Sequence, residues 1–199
     1  MRNMVVLGID LAGSEKRNTG ICIMDDQLNV KTFIVHTDEE ILKIIEEVKP
    51  QIIAIDAPLT LPYGRKSLKC RENVHLRECD RKLLKMGIKF FPITLGPMRK
   101  LTERGIGLKY KIEKMGYKVI EVYPGGAQDL LGIPRKSKGV ELLRNGLLKL
   151  GIKRIRKNAS ADELDAVTAA YVAILYLKGE TLQLSGKDGT IVMPRPRNK

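Results

Sequence analysis

The sequence predicts an α/β protein on a mixed sheet, three antiparallel strands followed by two parallel ones, with helices on both faces and a basic helical insertion. Three observations carry that expectation. Short, nearly continuous apolar runs end in or near an acid; two later segments open on helix capping boxes; and the positive charge is concentrated in one stretch of helical periodicity.

Met4 to Leu11 is rich in β-branched residues and nearly all apolar, the pattern of a strand buried on both faces, and Asp10 stands at its end. Thr19 to Met24 reads as a second strand, and residues 25–29 as a turn into a third at Val30 to Val35. Thr37-Asp38-Glu39-Glu40 has capping-box spacing. Ile41, Leu42, Ile44, Ile45 and Val48 then recur at helical intervals until Pro50. Gln51 to Ile55 is the next strand, with Asp56 at its end and Pro58 and Pro62 barring simple continuation. Helical periodicity follows near 71–86 and 97–115, with Phe90-Phe91-Pro92 between. Lys118 to Tyr123 is a fifth strand with Glu121 near its end, and Pro124-Gly125-Gly126 reads as a turn. Ser160-Ala161-Asp162-Glu163 is a second capping box. It opens a helix whose apolar face holds Leu164, Val167, Ala170, Tyr171 and Ile174, and which ends near Gly179. The tail from Pro194 is expected to be loose.

With 199 residues the chain fits one domain, 1–199, carrying the insertion at about 60–116. The composition, 43% hydrophobic and 30% charged, excludes disordered and fibrous classes, and no apolar run reaches the ~20 residues of a membrane-spanning helix. The start lacks the apolar stretch and cleavage site of a signal peptide, and three cysteines make no disulfide framework, so the expected compartment is the cytoplasm. The net charge of +13 is uneven. Residues 1–59 hold 6 basic and 10 acidic side chains, whereas residues 60–120 hold 16 and 5. Such a block attracts polyanions, which makes nucleic acid the expected partner, with Arg71, Arg77, Arg81, Lys82 and Lys85 as phosphate contacts. The competing explanation is a Lys-rich solvated surface.

Asp10, Asp56 and Glu121 stand at or near three strand ends, and Asp162 and Asp165 lie three apart on one helix face. If the strands share a sheet with that helix beside it, the acids converge. Carboxylates so crowded raise one another's pKa and are tolerated when a divalent cation binds, and hard oxygen ligands select Mg²⁺ or Mn²⁺. Two-metal phosphoryl-transfer sites have this make-up. Each acid alone has a plainer role, as a turn former or a helix-dipole partner. Asp165 is different, because it interrupts an apolar face.

Gly8-Ile9-Asp10-Leu11-Ala12 with Thr19-Gly20-Ile21-Cys22, Ile53-Ala54-Ile55-Asp56-Ala57-Pro58-Leu59, Arg77-Glu78-Cys79-Asp80-Arg81, Glu121-Val122-Tyr123-Pro124 and Asp162-Glu163-Leu164-Asp165-Ala166 resemble, in that order, the predicted-nuclease family catalogued as domain of unknown function 429. The resemblance extends to Ile191-Val192-Met193-Pro194-Arg195-Pro196. It implies a ribonuclease H-like fold and metal-dependent hydrolysis of a nucleic-acid phosphodiester. The Asp-x-x-Asp-Ala helix start is similar to that of Holliday-junction resolvases, in which both acids ligate metal. In this reading Asp10, Asp56, Asp162 and Asp165 hold Mg²⁺ or Mn²⁺, with Glu121 a fifth catalytic candidate. A departure from the resolvase pattern is Asp56, where a longer Glu is usual. The alternative from another class is a non-catalytic nucleic-acid-binding protein on the same scaffold.

The glycine-bearing start also resembles the first phosphate loop of actin-like sugar kinases, but that fold needs two lobes. Cys70, His75 and Cys79 lack a fourth ligand for a metal site. Asp80 either joins the acids or pairs with Arg77 or Arg81. Ser14 and Ser67 have no His and acid partners, so nucleophilic catalysis has no support.

Overall fold

One seven-stranded sheet organises the chain; the structure, a computed structural model, describes residues 4–69 and 73–196. Strands β1 (Val5–Asp10), β2 (Thr19–Asp25) and β3 (Val30–Val35) form an antiparallel meander. Helix α1 (Asp38–Val48) then leads to β4 (Ile52–Asp56), parallel to β1. Helices α2 (Glu78–Lys85) and α3 (Gly96–Lys114) lie between β4 and β5 (Val119–Val122), which is parallel to β4. After β5 come α4 (Pro124–Leu131), a 3-10 turn (Lys136–Lys138), α5 (Val140–Lys149) and α6 (Ala161–Leu177). A hairpin of β6 (Thr181–Gly186) and β7 (Gly189–Pro194) closes the sheet in the order β3-β2-β1-β4-β5-β7-β6. The first five strands are the ribonuclease H-like arrangement; among the described residues no helix is long and apolar enough to cross a membrane.

The sheet therefore has seven strands rather than five. Thr181–Gly186 is half-exposed and holds few apolar residues; it is fixed by its ladder with β7, which in turn pairs with β5, and by α2, whose Lys82 Nζ donates to the Ser185 carbonyl oxygen. The pairing of β7 with β5, between residues 70 apart (Glu121 and Ile191), leaves no local signature. Pro124-Gly125-Gly126 opens α4 instead of turning, with the fixed φ of Pro124 suited to a first helical position. Gly126 is needed for packing: a Cβ there would lie 2.8 Å from both Met193 and Tyr123. Both capping boxes form as expected, Thr37 with Glu40 and Ser160 with Glu163.

Alternation along the strands divides the core. Leu7, Ile9, Ile53 and Ile55 face α1 and α3, packing with Ile41, Ile45, Leu108 and Ile112. Val6, Ile52, Ala54, Ile120 and Val122 face the other way, toward α6 and its neighbours. Helix α6 is buried along most of its length and lies directly on β1 and β2. Small residues make that approach possible. A Cβ on Gly8 would stand 2.1 Å from the Ala166 carbonyl oxygen, and one on Gly20 2.1 Å from that of Asp162. Gly8→Ala is accordingly expected to lower stability by about 2–3 kcal/mol, by forcing backbone apart rather than a flexible side chain. Urea unfolding measures it; a loss below ~0.5 kcal/mol would mean α6 is not seated as described.

Candidate metal centre

The parity that sorts the core also sorts the acids. Asp10 continues the Val6-Gly8 series and Asp56 the Ile52-Ala54 series, so both carboxylates project on the α6 side. Parallel pairing places Asp10 opposite Asp56 on adjacent strands. The first turns of α6, held over β1 and β2 by the glycine contacts, bring in Asp165. One carboxylate oxygen from each of Asp10, Asp56 and Asp165 lies within 4.8 Å of the others. Three separate elements thus deliver acids to one point.

Among the described residues, two side chains donate to Asp165. Buried Gln128 on α4 donates from Nε2 to Oδ1 at 2.8 Å and also reaches Thr168 Oγ1 at 3.1 Å. Lys136 Nζ sits 2.7 Å from Oδ2. Asp162, half-buried, does not join the three-acid cluster, but it lines a cleft of about 520 Å³ with Asp10, Arg17, Asn18 and Lys136. On the far side of Met98 and Leu101, an apolar hollow of about 190 Å³ runs from Asp56 to Phe90 and Phe91.

Burial pushes the Asp10 carboxyl up to about 7, reinforced by the negative charges of Asp165 and Asp162 and opposed by Lys136. Burial and the charges of Asp10 and Asp165 hold Asp56 well above the ordinary carboxyl range, with a hydrogen bond linking Asp56 to Asp10. Near neutral pH the bare cluster retains a proton. A folded-state pKa raised above the unfolded one contributes stability that is complete below about pH 4 and is lost as pH rises through about 7. Removing the charge should therefore stabilise the metal-free protein more at pH 8 than at pH 5. The difference in urea-unfolding free energy between Asp10→Asn and wild type is expected to grow over that interval; a constant or shrinking difference would refute the crowding.

Glu121 does not belong to this cluster. It pairs across from Ile55, one position before the residue opposite Asp56, and so faces the other side of the sheet. There its Oε2 accepts from the Leu59 backbone N–H at 2.8 Å and from Arg77 Nη1 at 2.7 Å, and its Oε1 accepts from Arg77 Nη2 at 2.6 Å. Arg77 is 1% exposed and is also bound to Asp80, which settles Asp80 as an ion-pair partner. A guanidinium engaged in this way offers nothing to a phosphate. Arg81 and Lys85 remain exposed on α2 and Lys82 partly so, while Arg71 lies outside the described residues. Cys70 also lies outside them; His75 Nδ1 is 2.8 Å from Thr94 Oγ1, and Cys79 is fully buried.

The sequence reading missed Lys136, Gln128 and Arg17. The first two come from the stretch after β5, where no acid-bearing motif drew attention, and a lysine among many carries no local signal.

A family model described as a protein of unknown function (DUF429) matches residues 8–190. No curated protein matches the chain. Among solved structures, Thermus thermophilus RuvC is similar at 15% identity over 88% of this chain and 97% of that chain, with a TM-score of 0.48. T. thermophilus RuvC in complex with Holliday junction substrate is similar over the same shares at 15% identity, with a TM-score of 0.47.

Proposed function

The chain belongs to the DUF429 family, and within it we propose that this protein is a Mg²⁺- or Mn²⁺-dependent nuclease. The observation that carries the reading is the meeting of Asp10, Asp56 and Asp165 oxygens within 4.8 Å, from β1, β4 and α6. The carboxyls of Asp10 and Asp56, pushed up by burial and by the charge of neighbouring acids, are costly to ionise without a cation. All the donors are hard oxygens, and an ammonium already stands beside Asp165, so the site fits a divalent cation. Asp10, Asp56 and Asp165 would hold it, and Asp162 adds a fourth carboxylate for a second ion beside Asp10. When bound, such ions supply charge neutralisation at a phosphodiester and activation of water.

The protein's own groups do the rest. Gln128 orients Asp165 through a neutral hydrogen bond. Arg17 and Lys136 line the cleft where phosphates would lie, with Arg81, Lys82 and Lys85, and Arg71 from the sequence reading, as outlying contacts. The ring of Phe91, 73% exposed at the hollow that begins at Asp56, suits stacking of an unpaired base. Single-stranded or branched nucleic acid is the substrate class this favours.

End-labelled single-stranded, duplex and branched DNA and RNA, incubated with Mn²⁺, Mg²⁺ or EDTA, test the proposal. Cleavage is expected only with a cation; its absence on every substrate would end the enzymatic reading. A second reading, binding without cleavage, is favoured by Lys136, which neutralises Asp165 without any metal. Under either reading Arg17→Glu should flatten the salt dependence of binding by about one unit of slope, measured by fluorescence anisotropy. An unchanged slope would move the interface out of the cleft.

A further inference from the structure

We propose that Lys136 is the protein's built-in cation for the carboxylate cluster, and that a divalent ion enters by exchange, expelling the Lys136 ammonium from Asp165. The inference rests on the cluster being a cation site.

The two groups holding Asp165 differ in kind. Gln128 is 1% exposed, fixed on α4, neutral, and tied to Thr168 as well as Asp165, so its hydrogen bond is compatible with a metal on the same carboxylate. Lys136 is charged, its side chain is 47% exposed, and it rides on a 3-10 turn with no buried residue. It can leave for solvent without breaking packing. The turn itself stays anchored next door. Arg135 holds Asp129 through Nε at 2.9 Å and Nη2 at 2.5 Å, and reaches the Tyr123 hydroxyl at 3.1 Å.

An ammonium 2.7 Å from Oδ2 of Asp165 lies where the charge of an incoming ion would be concentrated, because Asp10 and Asp56 converge on the same carboxylate. Two cations cannot share that space without strong repulsion. The charged groups lining the cleft around Lys136 are Asp10, Asp162 and Arg17. Once displaced, the ammonium is released to solvent at the mouth of the cleft that Arg17 also lines. In the metal-free protein it partly neutralises the cluster; on metal entry that role passes to the ion and the lysine is released. Metal affinity is correspondingly weaker than the carboxylates alone would give.

Mn²⁺ titrated by calorimetry into EDTA-stripped wild type, Lys136→Met and Lys136→Arg tests this. Lys136→Met keeps the apolar stem and removes the competitor, so it should bind Mn²⁺ about 10-fold tighter, melt lower than wild type in EDTA, and melt close to wild type when saturated. Lys136→Arg should bind like wild type. If Lys136→Met does not fold without metal, the side-chain amine resonance of Lys136 in wild type decides: Mg²⁺ should move it to the position of solvent-exposed lysines. Equal or weaker Mn²⁺ binding by Lys136→Met, or a resonance unmoved by Mg²⁺, overturns the exchange. Failure of wild type and both variants to bind Mn²⁺ would remove the cation site itself, and the exchange with it.

Discussion

Arg77→Met is expected to lower the unfolding free energy by about 3–5 kcal/mol. Arg77 is enclosed. Its Nη2 contacts Asp80 Oδ1 at 2.8 Å and Glu121 Oε1 at 2.6 Å, its Nη1 contacts Glu121 Oε2 at 2.7 Å and Thr60 Oγ1 at 3.0 Å, and its Nε contacts Asp80 Oδ2 at 3.1 Å. Truncation leaves two carboxylates buried without their cation, which costs far more than the pair gains over an apolar replacement. The triple change Arg77→Met, Asp80→Asn, Glu121→Gln should therefore recover part of the loss. Chemical denaturation of the three proteins measures this. A penalty below ~1 kcal/mol for Arg77→Met, or no recovery in the triple variant, would show that the network is not what ties α2 to β5.

Asp10→Asn should reduce cation-dependent cleavage by ~10³-fold or more, since a lost metal ligand removes several kcal/mol of transition-state stabilisation at 1.36 kcal/mol per decade. Stability should move the other way. Without metal the substitution relieves repulsion with Asp165 and Asp162, and the fold should gain on the order of 1 kcal/mol at neutral pH. Saturating Mn²⁺ should then raise the melting temperature of wild type more than that of the variant, by linkage of binding to folding. Equal Mn²⁺ stabilisation of the two, with no cleavage by either, would leave the binding protein as the better reading. Activity and stability moving in opposite directions distinguishes a metal ligand from a residue that merely shapes a turn.

What was legible in the sequence was local. The strand runs of β1, β2, β3, β4 and β5, the capping boxes at Thr37 and Ser160, and acids at the ends of β1 and β4 are written in nearest-neighbour patterns, because buried strands and helix starts each impose their own spacing. Asp162 and Asp165 could be placed on one helix face for the same reason. Tertiary structure alone decided which acids meet. Asp10 and Asp56 share a face because the β1 and β4 register sets them opposite each other, whereas Glu121, one residue out of that register on β5, is carried to the other side and captured by Arg77. A one-residue difference in register reverses a side chain, and no local pattern encodes the register of strands whose partners lie 46 residues apart (Asp10 and Asp56) or 66 apart (Ile55 and Glu121). The same holds for Lys136: its 2.7 Å contact with Asp165 depends on how the turn after α4 lies over α6, a matter of packing between elements rather than of the sequence around either residue.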